Sequence, residues 1–403
     1  MLNNNTQNSP LIYDCDVLVC GGGFAGIASA LSASRLNKKV ILLEKEYALG
    51  GLGTLGLITI YLALCDGYGK QVSFGIAEEL LQLSVKIGAE SELGKNWWGE
   101  NAGSRTENDN RFEACFNPHL FAILAEQELL KSGVNILYGT YAVDVKCEDK
   151  KVKQVFAYNK SGKITINVKS VVDATGDADI AHFAGAPTDT FKQGNLLAGW
   201  YYSHSKKNGY RLKPLGFCDV PDEQKNDNNK VEELIPTRFI GLDGQEISDF
   251  VTLSHKAILD DVLKSRKDAG EDYLPVTIPT IPQLRMTRKL VGEYVLSDKE
   301  VFTRFDDSIG MVSDWRKHGP IYEVPFGTLY SKEVKNLIMA GRCTSVNEAM
   351  WDIMRVIPCC AVTGQASGIA SALTDDFTTL DIKLLQKTLE ENNVVLHISD
   401  LDR

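Results

Sequence analysis

Missing from this sequence is any C-x-x-C pair. Its nine cysteines, at positions 15, 20, 65, 115, 147, 218, 343, 359 and 360, are odd in number and irregularly spaced. That pattern gives neither a disulfide framework nor a zinc site any support, and it suits reduced thiols in a cytoplasmic setting. The neighbours Cys359 and Cys360 would form only a strained ring as a redox couple, so packing is the better reading. No apolar run approaches the roughly 20 residues of a membrane-spanning helix, so no membrane is expected. Met1 to Pro10 is polar and Asn-rich, without a basic start or an apolar core, and reads as no signal peptide. An excess of positive charge is also lacking. The net charge of −10 argues against nucleic acid as a main partner. Internal repeats are absent, as is low complexity beyond the N-terminus. What is present is an ordinary globular composition, 44% hydrophobic and 24% charged, over 403 residues. That length allows two or three lobes and a large core.

The chain is organised around Tyr13 to Gly51. Asp16 to Cys20 is a short apolar run of the kind that forms a buried parallel strand. Gly21, Gly23 and Gly26 then fit G-x-G-x-x-G just before a helical pattern. Such glycines make a tight turn, leave bare backbone for a pyrophosphate and allow close helix–strand packing. The start of the helix, with Phe24 and Ala25, would aim unpaired N–H groups at the phosphates. Lys39 to Leu43 is the next strand, and Glu44 closes it, followed by Lys45. A carboxylate there accepts ribose hydroxyls and disfavours a 2′-phosphate, which points to FAD or NAD over NADP. The bland alternative is a glycine-rich turn without a ligand.

Gly50 and Gly51 open a glycine- and leucine-rich stretch that would lie against the ribityl chain and isoalloxazine ring of a flavin, or else form a plain loop leading to a helix. Glu78 to Ile87 and Leu120 to Leu130 show helical spacing. The polar stretch from Gly88 to Arg111, with Trp97-Trp98, reads as an exposed loop or lid. Asn135 begins a short strand. Thr140 to Cys147, Lys151 to Tyr158 and Lys163 to Val168 alternate apolar and polar residues, as in a small antiparallel meander. Ser170 to Asp173 is a buried strand running into Ala174, Thr175, Gly176 and Asp177. Asp177 and Asp179 are equally suited to capping the helix that follows. From Thr188 to Asn336 the strands are short and scattered around one clear helix, Ser248 to Lys267. Arg285 and Arg288 lie three apart there and would clamp an anion or sit on a solvated helix face. Asn336 to Met339 is a further buried strand, ending in Gly341 and Arg342. A helix with Pro358 in its first turn follows, then an amphipathic helix from Thr379 to Asn393 and a last apolar strand, Val394 to Ile398.

Three separated segments agree. Gly21 to Gly26 with Gly50-Gly51, Asp173-Ala-Thr-Gly-Asp177 and Gly341-Arg-Cys343 together resemble an FAD-dependent oxidoreductase. The broad resemblance is to the glutathione-reductase-like FAD fold, in the subgroup of fumarate reductase and succinate dehydrogenase flavoproteins. It is nearer still to a bacterial FAD-dependent oxidoreductase family, through NLIMAGR and RVIPCCAVTGQASG. The resemblance implies an α/β fold, with a Rossmann-like FAD domain of parallel strands plus the meander and an inserted α+β substrate or cap domain. Expected boundaries are 1–187 for the first part of the FAD domain, with 66–117 as a lid-like insertion. The cap would span 188–335, and 336–403 would complete the FAD domain. By the same resemblance Gly21, Gly23 and Gly26 would hold the pyrophosphate and Glu44 the ribose. Gly50 and Gly51 would line the ribitol, and the backbone at Val143 would meet adenine. Thr175, Gly176 and Asp177 would flank adenosine and pyrophosphate. Gly341 and Arg342 would lie beneath the ribitol, and the Pro358 helix would point at flavin N1 and O2. No histidine falls between Gly51 and Gly75, so FAD is expected to be non-covalent. Fumarate-site signatures are also missing, and no disulfide-reductase C-x-x-x-x-C follows the first helix.

Hydride transfer at flavin N5 needs a substrate C–H in near contact, and cations or a helix start near N1. Arg355, just before the Pro358 helix, is the leading candidate, with Arg342 next; each would alternatively be a structural ion-pair partner. Glu348 and Trp351 lie between them. Trp200-Tyr201-Tyr202 would stack on a substrate or pack a core. His119 reads as a helix-start residue, and His182 as a packing one. No metal site is expected. The partner is a small-molecule substrate, with a homo-oligomer possible. Two other readings stay open: a tRNA-modifying flavoprotein, against which the acidic charge speaks, and a nucleotide-fold binding protein without redox chemistry.

Overall fold

The computed structural model describes residues 11–87, 114–216 and 233–401. Strand β1 (Leu11–Cys20) runs into the glycine turn, helix α1 (Phe24–Arg35) and strand β2 (Val40–Leu43). Alanines and serines on α1 leave it buried along nearly its whole length, so it lies close to the sheet. A two-residue strand β3 (Ile60–Tyr61) precedes helix α2 (Ile76–Val85). Then come β4 (Ala114–Cys115), α3 (Pro118–Lys131), β5 (Asn135–Leu137), β6 (Tyr141–Glu148), β7 (Lys151–Asn159) and β8 (Gly162–Asp173). The short helix α4 (Asp179–Phe183) follows.

The main sheet has strand order β5-β2-β1-β8-β7-β6. Strand β8 does two jobs that the sequence pattern suggested for separate strands. Its first half pairs antiparallel with β7, and the whole strand runs parallel to β1. The meander and the parallel core are therefore one continuous sheet. Alternation in the first half and the apolar Val171-Val172 in the second follow from one face being open there and both faces being covered later.

The middle of the chain supplies β9 (Thr188–Thr190), β10 (Tyr201–Ser205), β11 (Gly209–Lys213), α5 (Gly244–Ala269), β12 (Leu274–Thr277), β13 (Arg288–Leu290), β14 (Ser308–Ser313) and β15 (Ile321–Pro325). β10, β11 and β12 form a small antiparallel sheet that α5 covers through Ile258 and Val262. Leu197, Phe239, Phe250 and Leu284 make a second small cluster. Ile309, Val312, Val324 and Phe326 instead join the large core around α1, while Met311 and Ile321 pack with Val72 in another small cluster. Arg285 and Arg288 lie on no helix. Arg288 is in β13, paired with β9, and both side chains are buried.

Strand β16 (Leu337–Met339) returns to the main sheet beside β8. Helices α6 (Glu348–Met354), α7 (Ile357–Leu373) and α8 (Ile382–Glu391) complete the chain. α7 crosses α1 at backbone contact. A Cβ on Gly364 would sit 2.3 Å from the Ala25 carbonyl oxygen, and one on Gly368 would sit 2.2 Å from that of Ser29. Residues Val394 to Ile398 do not form the expected strand. Their backbone is met by side chains instead: Ser308 Oγ donates to the Leu396 carbonyl at 2.6 Å, and Glu323 accepts from the Ile398 N–H at 3.1 Å. No single helix among the described residues is long and apolar enough to cross a membrane.

Candidate functional site

The register of the sheet sets the site. Cys20 of β1 is aligned with Leu43 of β2 and with Asp173 of β8, and Asp173 with Met339 of β16. The carboxyl ends of four parallel strands thus stop at one level. The next residues in each segment, Gly21, Glu44, Ala174 and Ala340, all line one cavity of about 480 Å³. Ligand crevices in open α/β sheets form at this edge, where the connections diverge.

The glycines around the cavity act in different ways. Gly21 has φ +108°, and a Cβ there would meet the Ala174 carbonyl oxygen at 2.3 Å. Gly26 lies off the cavity wall; a Cβ there would stand 1.8 Å from the Gly21 carbonyl oxygen, so its lack of a side chain permits close packing of turn and helix. Gly23 is the reverse case, because nothing lies within 4 Å of a Cβ placed there, although it faces the cavity.

Helix starts in the chain are met in three ways: α2 and α4 have no capping residue, but Gln365 Oε1 accepts from the Ile76 N–H and Asp173 from the Ala181 N–H. α3, α5, α6 and α8 are capped by the side chains of Asn117, Asp243, Asn347 and Asp381. α1 begins at Gly23 and α7 at Val356, and neither start has a side-chain cap. Both Gly23 and Val356 line the cavity. Two helices of 12 and 17 residues therefore present N–H groups and positive dipole ends to the same space. A pyrophosphate at the first and the electron-rich edge of an isoalloxazine at the second fit this cradle. The residues present fit FAD.

Glu44 is buried and already ordered. Its Oε2 accepts from the Gly22 N–H at 2.7 Å and Oε1 from that of Glu46 at 2.8 Å. Burial pushes its carboxyl above the usual range, against the pull of these two amides. Each oxygen keeps a lone pair for a ribose hydroxyl. Asp173 is the buried hub beneath the loop. It accepts from the Thr175 N–H and hydroxyl and from the Ala181 N–H, which replaces a cap on α4. Burial raises its pKa.

Asp177 joins the loop to the middle of the chain. Its Oδ1 accepts from Thr287 Oγ1 at 2.7 Å and from Arg342 Nη2 at 3.4 Å, while its carbonyl accepts from Arg288 Nε at 2.9 Å. Arg288 Nη2 also pairs with Asp179 at 2.7 Å. The Asp179 pKa is raised to about 6, first by burial and then by the neighbouring carboxylates of Asp177 and Asp173.

Arg342 lines the cavity and also donates to the carbonyls of Leu284 at 2.7 Å and Arg285 at 3.0 Å. Arg355 lines it beside the start of α7. Its guanidinium is held by Asp352, which is fully buried and also pairs with Arg316 at 3.3 Å. Both arginines thus carry structural ion pairs as well as a place on the wall.

Of the residues picked out by sequence, Phe24, Ala25, Lys45, Gly50, Gly51, Thr175 and Gly176 also line the cavity, as does Gly341. Val143, Pro358 and Glu348 do not. Val143 follows Ala142, which does line it, and a register shift in β6 between Ala142 and Asp144 leaves the Val143 side chain 47% exposed. Pro358 is buried in the first turn of α7, whose Val356 and Ile357 reach the wall instead. Glu348 opens α6, and its Oε1 lies 3.5 Å from the Lys192 N–H. Trp351 packs in the core, with its indole N–H on the Arg342 carbonyl. Tyr201 and Tyr202 are core residues, His119 follows Pro118 in the first turn of α3, and His182 is exposed rather than packed. Cys359 and Cys360 are buried free thiols. Trp97 and Trp98 lie outside the described residues. Among the described residues no cluster of metal-ligating side chains occurs.

Sequence reasoning set the stretch after Gly50 along the flavin but missed that Leu55, Ile58, Ile60 and Leu62 build a far wall with Ile281 and Leu284. Residues 58, 60 and 62 are partly exposed and alternate with the buried Thr59, Tyr61 and Ala63, but in a stretch this apolar the alternation exists only in the fold.

Comparison with known proteins agrees with this geometry. A geranylgeranyl bacteriochlorophyll reductase-like protein from Thermoplasma acidophilum superposes with a TM-score of 0.50 at 13% identity, covering 97% of this chain and 87% of that one. At that identity the likeness concerns the fold. A thioredoxin reductase from Ureaplasma parvum is 31% identical over 72 residues, 18% of this chain and 23% of the relative. A bifunctional amine oxidase from Dictyostelium discoideum is 34% identical over 85 residues, 21% of this chain and 8% of the relative. The chain thus spans less than a quarter of the length of either curated relative. The family model described as FAD dependent oxidoreductase matches residues 16–199 and 201–389. The chain belongs to the FAD-dependent oxidoreductase family, as an enzyme with FAD as its cofactor.

Proposed function

We propose that this enzyme moves a hydride between a small organic substrate and N5 of a non-covalently held FAD. Within the family we place it with the glutathione-reductase-like FAD fold, near the fumarate reductase flavoproteins but with a substrate other than fumarate. The observation that carries the reading is the pair of uncapped helix starts, Gly23 and Val356, facing one cavity closed by an aliphatic wall.

When bound, FAD supplies hydride acceptance and return at its ring. The chain does the rest. N–H groups at the start of α1 take the pyrophosphate, and Glu44 takes the ribose hydroxyls. The start of α7, with Arg355 held beside it, favours negative charge at that end of the cavity. Ile58, Ile60 and Leu284 exclude water and position a substrate carbon. Non-covalent attachment is supported by the lack of histidine between Gly51 and Gly75.

The test is the visible absorption spectrum of the purified protein before and after acid precipitation. A flavin band released into the supernatant is expected. A band kept in the pellet would mean a covalent link, and a colourless protein that takes up no FAD would end the proposal.

A further inference from the structure

We infer that the substrate is an apolar molecule bearing one carboxylate, with its chain on the aliphatic wall and its anionic end at Arg285. The inference rests on the flavoenzyme reading above and specifies what that site accepts.

The wall comes from two segments tied to each other. The Thr280 N–H donates to the Leu55 carbonyl at 2.9 Å, and the Gln283 side-chain amide donates to the carbonyl of Gly56. Gln283 also accepts from the Trp200 N–H at 3.1 Å, so its polar atoms serve the scaffold. Thr59 in turn meets the Tyr202 hydroxyl at 2.6 Å. What these segments turn toward the cavity is hydrocarbon: Ile58, Ile60 and Leu62 from one, Ile281 and Leu284 from the other. Apolar surface held open to water is unfavourable by roughly 25 cal/mol per Å², which an apolar ligand recovers on covering it.

Arg285 adjoins this wall. It lines the cavity with only 2% of its surface exposed, and its guanidinium lies over the Trp200 ring at 5.2 Å. Its backbone is fixed from both sides, the N–H by Asn195 Oδ1 at 2.9 Å and the carbonyl by Arg342 at 3.0 Å. A guanidinium carries five N–H donors in a rigid fork, so it can take a carboxylate while keeping its other contacts. A buried cation beside a hydrocarbon surface selects an anionic head on an apolar body and rejects a cationic one.

The test uses the flavin-loaded protein with its flavin content measured first. Octanoate, 1-octanol and octylamine are titrated in turn, and binding is read as a perturbation of the flavin visible spectrum. Octanoate is expected to bind at least about tenfold more tightly than 1-octanol, with octylamine weakest, since one charge-assisted hydrogen bond is worth roughly 1.5–3 kcal/mol. Arg285→Gln should bring octanoate down to the level of 1-octanol, and Arg285→Lys should keep part of the difference. Equal binding of octanoate and 1-octanol by the wild-type protein, or tighter binding of octylamine, would overturn the inference without any variant. A full flavin band that octanoate leaves unchanged would sink the inference alone. A protein without flavin would sink the reading beneath it as well.

Discussion

Arg342 Nη1 donates to the Leu284 carbonyl at 2.7 Å, so the last turn of the cofactor face holds the segment that closes the cavity. Its Nη2 reaches Asp177 at 3.4 Å, and a Cβ on Gly176 would strike the same guanidinium. One side chain therefore ties the loop after β8 to the segment that closes the cavity.

Replacing Arg342 with Met should leave the carbonyls of Leu284 and Arg285 without their donor. A loss of about 2–3 kcal/mol in urea-unfolding stability is expected, since buried groups lose a charged hydrogen-bond partner. Flavin content after gel filtration should fall as well. Unchanged stability and flavin content would contradict this role.

Gly23 and Gly26 give opposite outcomes to the same substitution. Gly26→Ala forces a methyl into the Gly21 carbonyl and should cost about 3 kcal/mol or more, read in thermal unfolding of the apoprotein. Gly23 has φ −68° and open space around a Cβ, so Gly23→Ala should leave apoprotein stability within about 0.5 kcal/mol. Its methyl would instead project into the cavity, where the proposed function puts the pyrophosphate. FAD affinity should drop at least about tenfold by fluorescence-quenching titration, if one phosphate–amide hydrogen bond is lost.

Asp352 sits between two guanidinium groups, those of Arg355 and Arg316, with none of its side chain exposed. Asp352→Asn removes the charge and leaves both cations short of a partner. The expected cost is about 3–5 kcal/mol of folding stability, the usual price of breaking a buried pair from one side. Equilibrium unfolding of the apoprotein reads it directly.

Asp179 predicts a pH dependence. Its folded pKa, about 6, lies above the ordinary 3.8. The folded state therefore binds the proton more tightly, and the contribution of this group to stability is largest below about pH 4 and is lost as pH rises toward 6. Since 40% of the side chain meets solvent, screening keeps the effect small, under about 1 kcal/mol. The stability of Asp179→Asn relative to wild type should rise across pH 4 to 6, followed by thermal unfolding at stepped pH. A flat difference would contradict the raised pKa.

The parallel core and the cofactor cradle were legible because both depend on neighbours in the chain. A strand, a glycine turn and a helix start occur within Asp16 to Arg35, and the acid at Glu44 ends the very next strand. The aliphatic wall was not legible as such, since Ile58, Ile60 and Leu62 look like any buried run until the fold leaves one side of them open. For Arg285 and Arg288 the helix-face alternative fails for the same reason. Their spacing suits a helix face, yet neither lies on a helix, both are buried, and Arg288 is bound to Asp177 and Asp179, more than a hundred residues earlier.

Local chemistry in the sequence was thus enough to mark a dinucleotide fold and narrow the ligand to FAD or NAD, and the resemblance of three separated motifs added the FAD-dependent oxidoreductase family. Tertiary structure alone decided that Arg342 and Arg355 both line the cavity and are held by carboxylates, that Val143 stands exposed beside the register shift in β6, and what closes the site. Backbone preferences and turn chemistry act within a few residues. Burial and ion pairing depend on surfaces that meet only when distant segments, such as 55–62 and 280–285, are brought together by the fold.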